Sequence, residues 1–233
     1  MSLWIKICAN TSLEDARLAV EAGAEAVGFV FAPSPRRVTA AQVAEIAPHL
    51  PTTVEKIGVF VEADLEEIVA TVQECKLTGV QLHSAAGPEL TARLRERLGA
   101  RFRILRVVHF GPQAEEQAAA LAQNGNVDAV LVDSRTAQAV GGTGIAFDWA
   151  LARKTLFQDG SGRKCIAAGG LNPANVAEAI AILRPWGVDV ASGVESAPGR
   201  KDPERVREFV ARARAAWSEL QADSTETVAE KTL

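Results

Sequence analysis

At 233 residues the chain is long for one ordinary domain and short for two, which favours a single large α/β unit. Its 48% hydrophobic and 23% charged residues match a soluble globular protein, and a net charge of −4 argues against binding nucleic acid or a membrane surface, which calls for a basic field. No apolar run approaches the roughly 20 residues that span a bilayer, and the N-terminus lacks a signal peptide's apolar core. Cys8, Cys75 and Cys165 form no C-x-x-C pair. The expectation is therefore a cytoplasmic protein without a disulfide framework or structural zinc.

Short β-branched runs alternate with Ala/Glu/Arg-rich helical stretches. The first predicted strand covers residues 3–9, and Thr11 or Ser12 then caps a helix to residue 22, with Glu14 and Asp15 as capping-box partners. A strand at 26–31 precedes a helix at 40–50, introduced by Thr39. Strands at 56–61, 79–83 and 103–108 are followed by helices at 65–75, 89–98 and 113–123. The last strands fall at 129–133, 165–168 and 188–191, with helices at 148–156, 173–183 and 203–217. Gly23, Gly125 and Gly187 each follow a helix and precede an acidic residue, a faint repeat in which glycine supplies a left-handed helix cap. Eight strand–helix pairs close most naturally into one (β/α)8 TIM barrel with eight parallel strands, spanning residues 1–217. An open doubly wound sheet is the rival, but no G-x-G-x-x-G follows the first strand. Residues 218–233 are polar without helical periodicity and read as a frayed C-terminal tail.

Alternation gives each strand a face toward the helices and a face toward the barrel axis. Ile5 and Ile7 suit the helices, so Lys6 and Cys8 face the axis. Val80 and Leu82 go outward, leaving Gln81 and His83 inward, and Asp133 shares the parity of Ala129 and Leu131. Cys8, His83 and Asp133 stand at strand C-terminal ends, the rim on which barrel enzymes build active sites. Lys6 has a second reading, a core charge paired with the inward Asp189. Glycines cluster in the late loops: 141–144 after strand 6, Gly169-Gly170 after strand 7 and Ser192-Gly193 after strand 8. Successive backbone N–H groups in such loops converge on anions, so Gly142, Gly144, Gly169, Gly170, Ser192 and Gly193 are candidate contacts for a phosphorylated small molecule. Three His with no E-x-x-H or H-x-H spacing argue against a metal, and nothing calls for a nicotinamide, flavin or pyridoxal cofactor. Proton transfer by side chains alone is the leading chemistry.

Lys6-Ile-Cys-x-x-Thr11, Val27-Gly-Phe-Val-Phe31, Ser34-Pro-Arg36, Val80-Gln-Leu-His83, Asp133, Gly141-Gly-Thr-Gly144, Gly169-Gly-Leu-Asn-Pro173 and Ser192-Gly-Val-Glu195 occur in an order that resembles the phosphoribosylanthranilate isomerases. The resemblance runs from about residue 4 to about residue 216. It implies a cofactor-free Amadori rearrangement of tryptophan biosynthesis, from N-(5-phosphoribosyl)anthranilate to 1-(2-carboxyphenylamino)-1-deoxyribulose 5-phosphate. Carried over, it implies Asp133 as general acid at the ribose ring oxygen and Cys8, as thiolate, as base at C2. Arg36 would pair with the anthranilate carboxylate, and the late glycine loops would hold the 5-phosphate. An ordinary thiol is only about 3% ionised at pH 7, so Cys8 is expected to draw on positive charge from Lys6 or from the substrate's iminium.

Two positions depart from the family, which usually has glycine after the catalytic Cys and after the Gln-Leu-His run; here they are Ala9 and Ser84. If the first needs positive φ, Ala9 is strained. The alternatives are a phosphate-binding barrel without turnover and the sister aminoaldose isomerase of histidine biosynthesis, which uses Asp as its strand-1 base. Oligomeric state, monomer or homodimer, is left open.

Overall fold

The computed structural model describes residues 2–83, 87–133, 148–158 and 162–230, with side chains of the last stretch up to residue 222. Eight strands, β1 (Trp4–Ile7), β2 (Ala26–Val30), β3 (Glu55–Phe60), β4 (Gly79–Leu82), β5 (Arg103–His109), β6 (Ala129–Asp133), β7 (Cys165–Ala168) and β8 (Gly187–Val190), form a closed parallel barrel in sequence order. The ring closes where β1 pairs with β8, Lys6 beside Asp189. Between the strands lie α1 (Leu13–Glu21), α2 (Ala40–Ile46), α3 (Leu65–Cys75), α4 (Pro88–Leu98), α5 (Ala114–Gln123), α6 (Trp149–Thr155) and α7 (Val176–Leu183). After β8 come a short hairpin, β9 (Glu195–Ala197) with β10 (Arg200–Lys201), and then α8 (Pro203–Glu230). No helix among the described residues is long and apolar enough to cross a membrane.

Strand parity separates two cores. Ile5, Ile7, Val80, Leu82, Val130 and Val132 join the layer between sheet and helices. Trp4, Ala26, Ile57, Leu105, Ala129, Leu131, Ile166 and Ala168 fill the barrel interior, with the Trp4 ring stacked on Trp186 at 5.4 Å. The interior is packed with side chains, so the only place left for a ligand in such a barrel is its rim.

Several expectations need correction. Ser12 caps α1 by accepting from Asp15 N, but Asp15 does not close a capping box, because its carboxylate accepts from the Lys201 N–H. The reciprocal box forms instead at Thr39 and Gln42. α2 stops at Ile46 and tightens into a 3-10 turn over Ala47–His49, because Pro48 has no N–H to continue the helix. α7 starts three residues late, since the carboxamides of Asn172 and Asn175 accept backbone N–H groups in a competing turn. Of the three repeat glycines only Gly23 has positive φ; Lys76 and Arg184 are the left-handed caps of α3 and α7. Gly187 serves a different need: a Cβ there would lie 2.7 Å from Trp4 O. The expected frayed tail is helical to Glu230. Helical hydrogen bonds are local and need no apolar stripe, and Trp217 and Leu220 still reach the outer core.

Candidate active site

Cys8 follows β1 directly, and its N–H donates to Val190 O at 2.8 Å, which keeps it in the barrel wall. Asp133 is the last residue of β6. Both face one cavity of about 230 Å³ at the C-terminal rim, together with Arg36, His83, Asp189 and the segments 169–171 and 191–193. With Val59 and Val61 of the β3 side, seven strands or the loops after them converge on one space among the described residues. Among the site residues expected from the sequence, Gly142 and Gly144 lie outside the described residues, as does Ser84.

Lys6 is placed differently from a ligand contact. It does not line the cavity but sits deeper in the barrel, fully buried, with Nζ donating to Asp189 Oδ1 at 2.8 Å and Gln81 Oε1 at 2.9 Å. The pairing with Asp189 is therefore the correct reading, because an ammonium in this dry interior needs a counter-charge within reach. The network continues to the rim. Since Gln81 Oε1 accepts from Lys6, its amide Nε2 must donate to His83 Nε2 at 3.0 Å, which leaves the ring proton of a neutral His83 on Nδ1. Lys6 raises no cation toward the ligand itself; it orients Gln81 and Asp189, which do line the cavity.

The Cys8 thiol is held above the ordinary thiol range. Burial is the main cause; Lys6 and Lys201 pull it down, and Asp189 pushes it further up. The expected help from Lys6 is present, but desolvation outweighs it, so burial favours the protonated thiol at neutral pH. Room for the sulfur comes from β2: a Cβ on Gly28 would stand 2.7 Å from Cys8 Sγ. Ala9 adopts φ 61°, as its glycine-like position requires. For an alanine this conformation costs about 1–2 kcal/mol.

Arg36 lies on the loop after β2 and is already engaged. Its Nε reaches both oxygens of Glu195 at 2.9 and 3.0 Å, and Nη2 reaches Oε2 at 2.7 Å. Only Nη1 is outside this fork. Burial alone would push the Glu195 carboxyl up, but the Arg36 hydrogen bonds and the Lys201 charge more than offset it and hold it below the usual range. Lys201 Nζ contacts Glu195 Oε1 at 3.3 Å and Ala191 O at 3.2 Å. Two cations thus share one carboxylate. Glu195 and Lys201 belong to motifs of the resemblance, but the sequence assigned neither a role in the site. They sit on a hairpin too short to show alternation, and Glu195 meets Arg36 across 159 residues of chain.

Another part of the cavity is backbone. Gly169 and Gly170 have φ of 79° and 66°, and a Cβ on Gly193 would lie 1.9 Å from Leu171 O. Side chains are excluded there, so N–H groups can approach an anion closely. Among the described residues no group of three or more His, Cys, Asp or Glu is placed to hold a metal ion.

Comparison with known proteins follows this geometry. The model of the N-(5'-phosphoribosyl)anthranilate (PRA) isomerase family matches residues 5–212. An N-(5'-phosphoribosyl)anthranilate isomerase of Citrifermentans bemidjiense is 45% identical over 213 residues, covering 90% of this chain and 96% of that protein. The crystal structure of the phosphoribosyl anthranilate isomerase from Thermotoga maritima is similar with a TM-score of 0.82 at 37% identity, covering 91% of this chain and 99% of that one. A phosphoribosyl anthranilate isomerase solved in complex with reduced 1-(o-carboxyphenylamino)-1-deoxyribulose 5-phosphate has a TM-score of 0.77 at 34% identity, covering 91% and 99%. With a matched stretch running from β1 into α8, the chain belongs to the N-(5'-phosphoribosyl)anthranilate isomerase family.

Proposed function

We propose that Cys8 and Asp133 are the base and the acid of the family's reaction, the cofactor-free Amadori rearrangement of N-(5-phosphoribosyl)anthranilate in tryptophan biosynthesis. The observation that carries this reading is their position on one cavity, a thiol and a carboxyl group at the ends of β1 and β6. Asp133 gives its proton to the ribose ring oxygen as the C1–O bond breaks. The nitrogen lone pair forms the C1=N iminium. Cys8 as thiolate takes the proton from C2, and that electron pair becomes the C1=C2 bond of a neutral enolamine. Proton gain at C1 and loss from the C2 hydroxyl complete the ketose, with no net oxidation or reduction.

The iminium has a second role. Burial favours the protonated Cys8, so a positive charge generated beside the sulfur is what favours the thiolate. The thiolate fraction thus rises after ring opening, when the base is needed. Arg36 Nη1, backed by Glu195, meets the anthranilate carboxylate. The N–H groups around Gly169, Gly170, Ser192 and Gly193 receive the 5-phosphate. His83, oriented by Gln81, contacts the sugar from the β4 side. Three unpaired cysteines suit a reducing cytoplasm as the place of action.

The test is the loss of anthranilate-type fluorescence when the purified chain is added to the phosphoribosyl conjugate. Cys8→Ala and Asp133→Asn should each lower turnover about 10²- to 10⁴-fold while still binding a reduced product analogue. Wild-type turnover in either variant overturns its assignment, and binding without turnover by the unaltered chain overturns the reaction.

A further inference from the structure

Among the described residues, three that are not glycine have positive φ. Lys76 and Arg184 end α3 and α7, where a left-handed residue is the ordinary stop. Ala9 ends no helix; it follows Cys8 directly, in the turn between β1 and α1, with φ 61°. Something must hold an L-residue there.

Asn10 does so. It is fully buried, its Nδ2 donates to Ile7 O at 2.8 Å and to Gly28 O at 3.1 Å, and its backbone N–H donates to Gly28 O at 2.9 Å. The carboxamide therefore ties the last residue of β1 to the middle of β2. These two points bracket Cys8: Ile7 precedes it, and Gly28 gives Sγ its space. Asn10 Oδ1 is buried with no partner. A residue that only filled volume would not carry an unpaired oxygen into the interior, because burying one is unfavourable.

We propose that Asn10 is a positioning residue that keeps the Cys8 thiol in its reacting orientation against the strain of Ala9. The proposal rests on Cys8 being the base. Without the two Nδ2 bonds, Ala9 relaxes toward negative φ, the Cys8–Ala9 peptide rotates, and Sγ leaves the C2 proton. Glycine at position 9 has no such tendency and needs less restraint. The two residues are thus coupled.

The experiment compares the full chain with Asn10→Ala, Ala9→Gly, the double variant and Cys8→Ala, each by kcat, KM and Tm. Asn10→Ala should lower kcat at least tenfold with KM changed less than threefold, and Ala9→Gly should raise Tm. The kcat loss caused by Asn10→Ala should shrink several-fold in the glycine background. Unchanged kcat in Asn10→Ala, or an equal loss in both backgrounds, overturns the proposal. If Asn10→Ala fails to fold, Asn10→Ser is substituted, and the same two outcomes decide. Full turnover in Cys8→Ala overturns the base assignment itself, whereas its loss alongside an unaffected Asn10→Ala overturns only the role of Asn10.

Discussion

The charged part of the cavity and its glycine part are built on opposite principles. Asp189, Gln81, His83 and Arg36 line the first through side chains, backed by Lys6, Glu195 and Lys201, and the Lys6 and Arg36 pairs join parts of the chain far apart in sequence. Residues 169–171 and 191–193 offer backbone, and Gly169, Gly170 and Gly193 are specified by the absence of a side chain. The first kind of wall is directional but expensive, because each buried charge depends on a partner. The second is cheap in desolvation but tolerant of nothing larger than hydrogen. A substitution in the charged wall should therefore register as instability or lost selectivity, and one in the glycine wall as a displaced ligand.

The largest effect on stability is expected at the bottom of the charged wall. Lys6→Met leaves Asp189 buried without its cation and should cost about 3–5 kcal/mol in denaturant unfolding. Pairing Lys6→Met with Asp189→Leu should recover most of it. A single-variant cost below about 1 kcal/mol would remove the contrast between the walls, since exposed pairs are worth no more than that. Next comes Arg36→Ala, where loss of a charge-assisted contact of about 1.5–3 kcal/mol should raise KM roughly 10- to 100-fold with kcat little changed. On the glycine wall, Gly193→Ala places a Cβ 1.9 Å from Leu171 O, and the backbone shift should weaken binding by about 1–3 kcal/mol. Inorganic phosphate inhibition should weaken in parallel; if Arg36→Ala weakens it equally, the anion sites are not separate.

The smallest effect concerns pH. The folded thiol of Cys8 is raised above its unfolded value, so the folded chain holds that proton more tightly, and raising pH through the ordinary thiol range subtracts stability. Iodoacetamide labelling of Cys8 in the empty protein should accordingly lag behind a free thiol at pH 8 and catch up only at higher pH. Labelling as fast as a free thiol at pH 8 would mean that Lys6 and Lys201 outweigh burial.

Much of this was legible from spacing. Period-two alternation places Lys6, Cys8, His83 and Asp133 on the barrel side, and the strand bounds at Ala129–Asp133 and Cys165–Ala168 need no revision. The opposition of Lys6 and Asp189 also follows from parity once the ring closes. What was illegible has physical causes. The sign of the Cys8 shift depends on how much water burial removes, which no spacing encodes. The Glu195 fork on Arg36 requires knowing where a two-strand hairpin folds back. Helix continuation past Trp217 is a local backbone matter that hydrophobic periodicity does not report.

The hairpin β9–β10 has a consequence for how the protein is made. Lys201 N–H reaches Asp15 across 186 residues, Thr11 Oγ1 reaches Gly199 O across 188, and Lys6 reaches Asp189 across 183. Alongside the local bonds of Asn10 and Ser12, β1 and the first β/α turn thus depend on partners made more than 180 residues later. A nascent half-barrel already holds Cys8 and Lys6 but lacks both the Asp189 counter-ion of Lys6 and the hairpin that clasps the first turn. Such long-range closure is slow to form, so competence should arrive in one late step, when β8 and the hairpin reach β1.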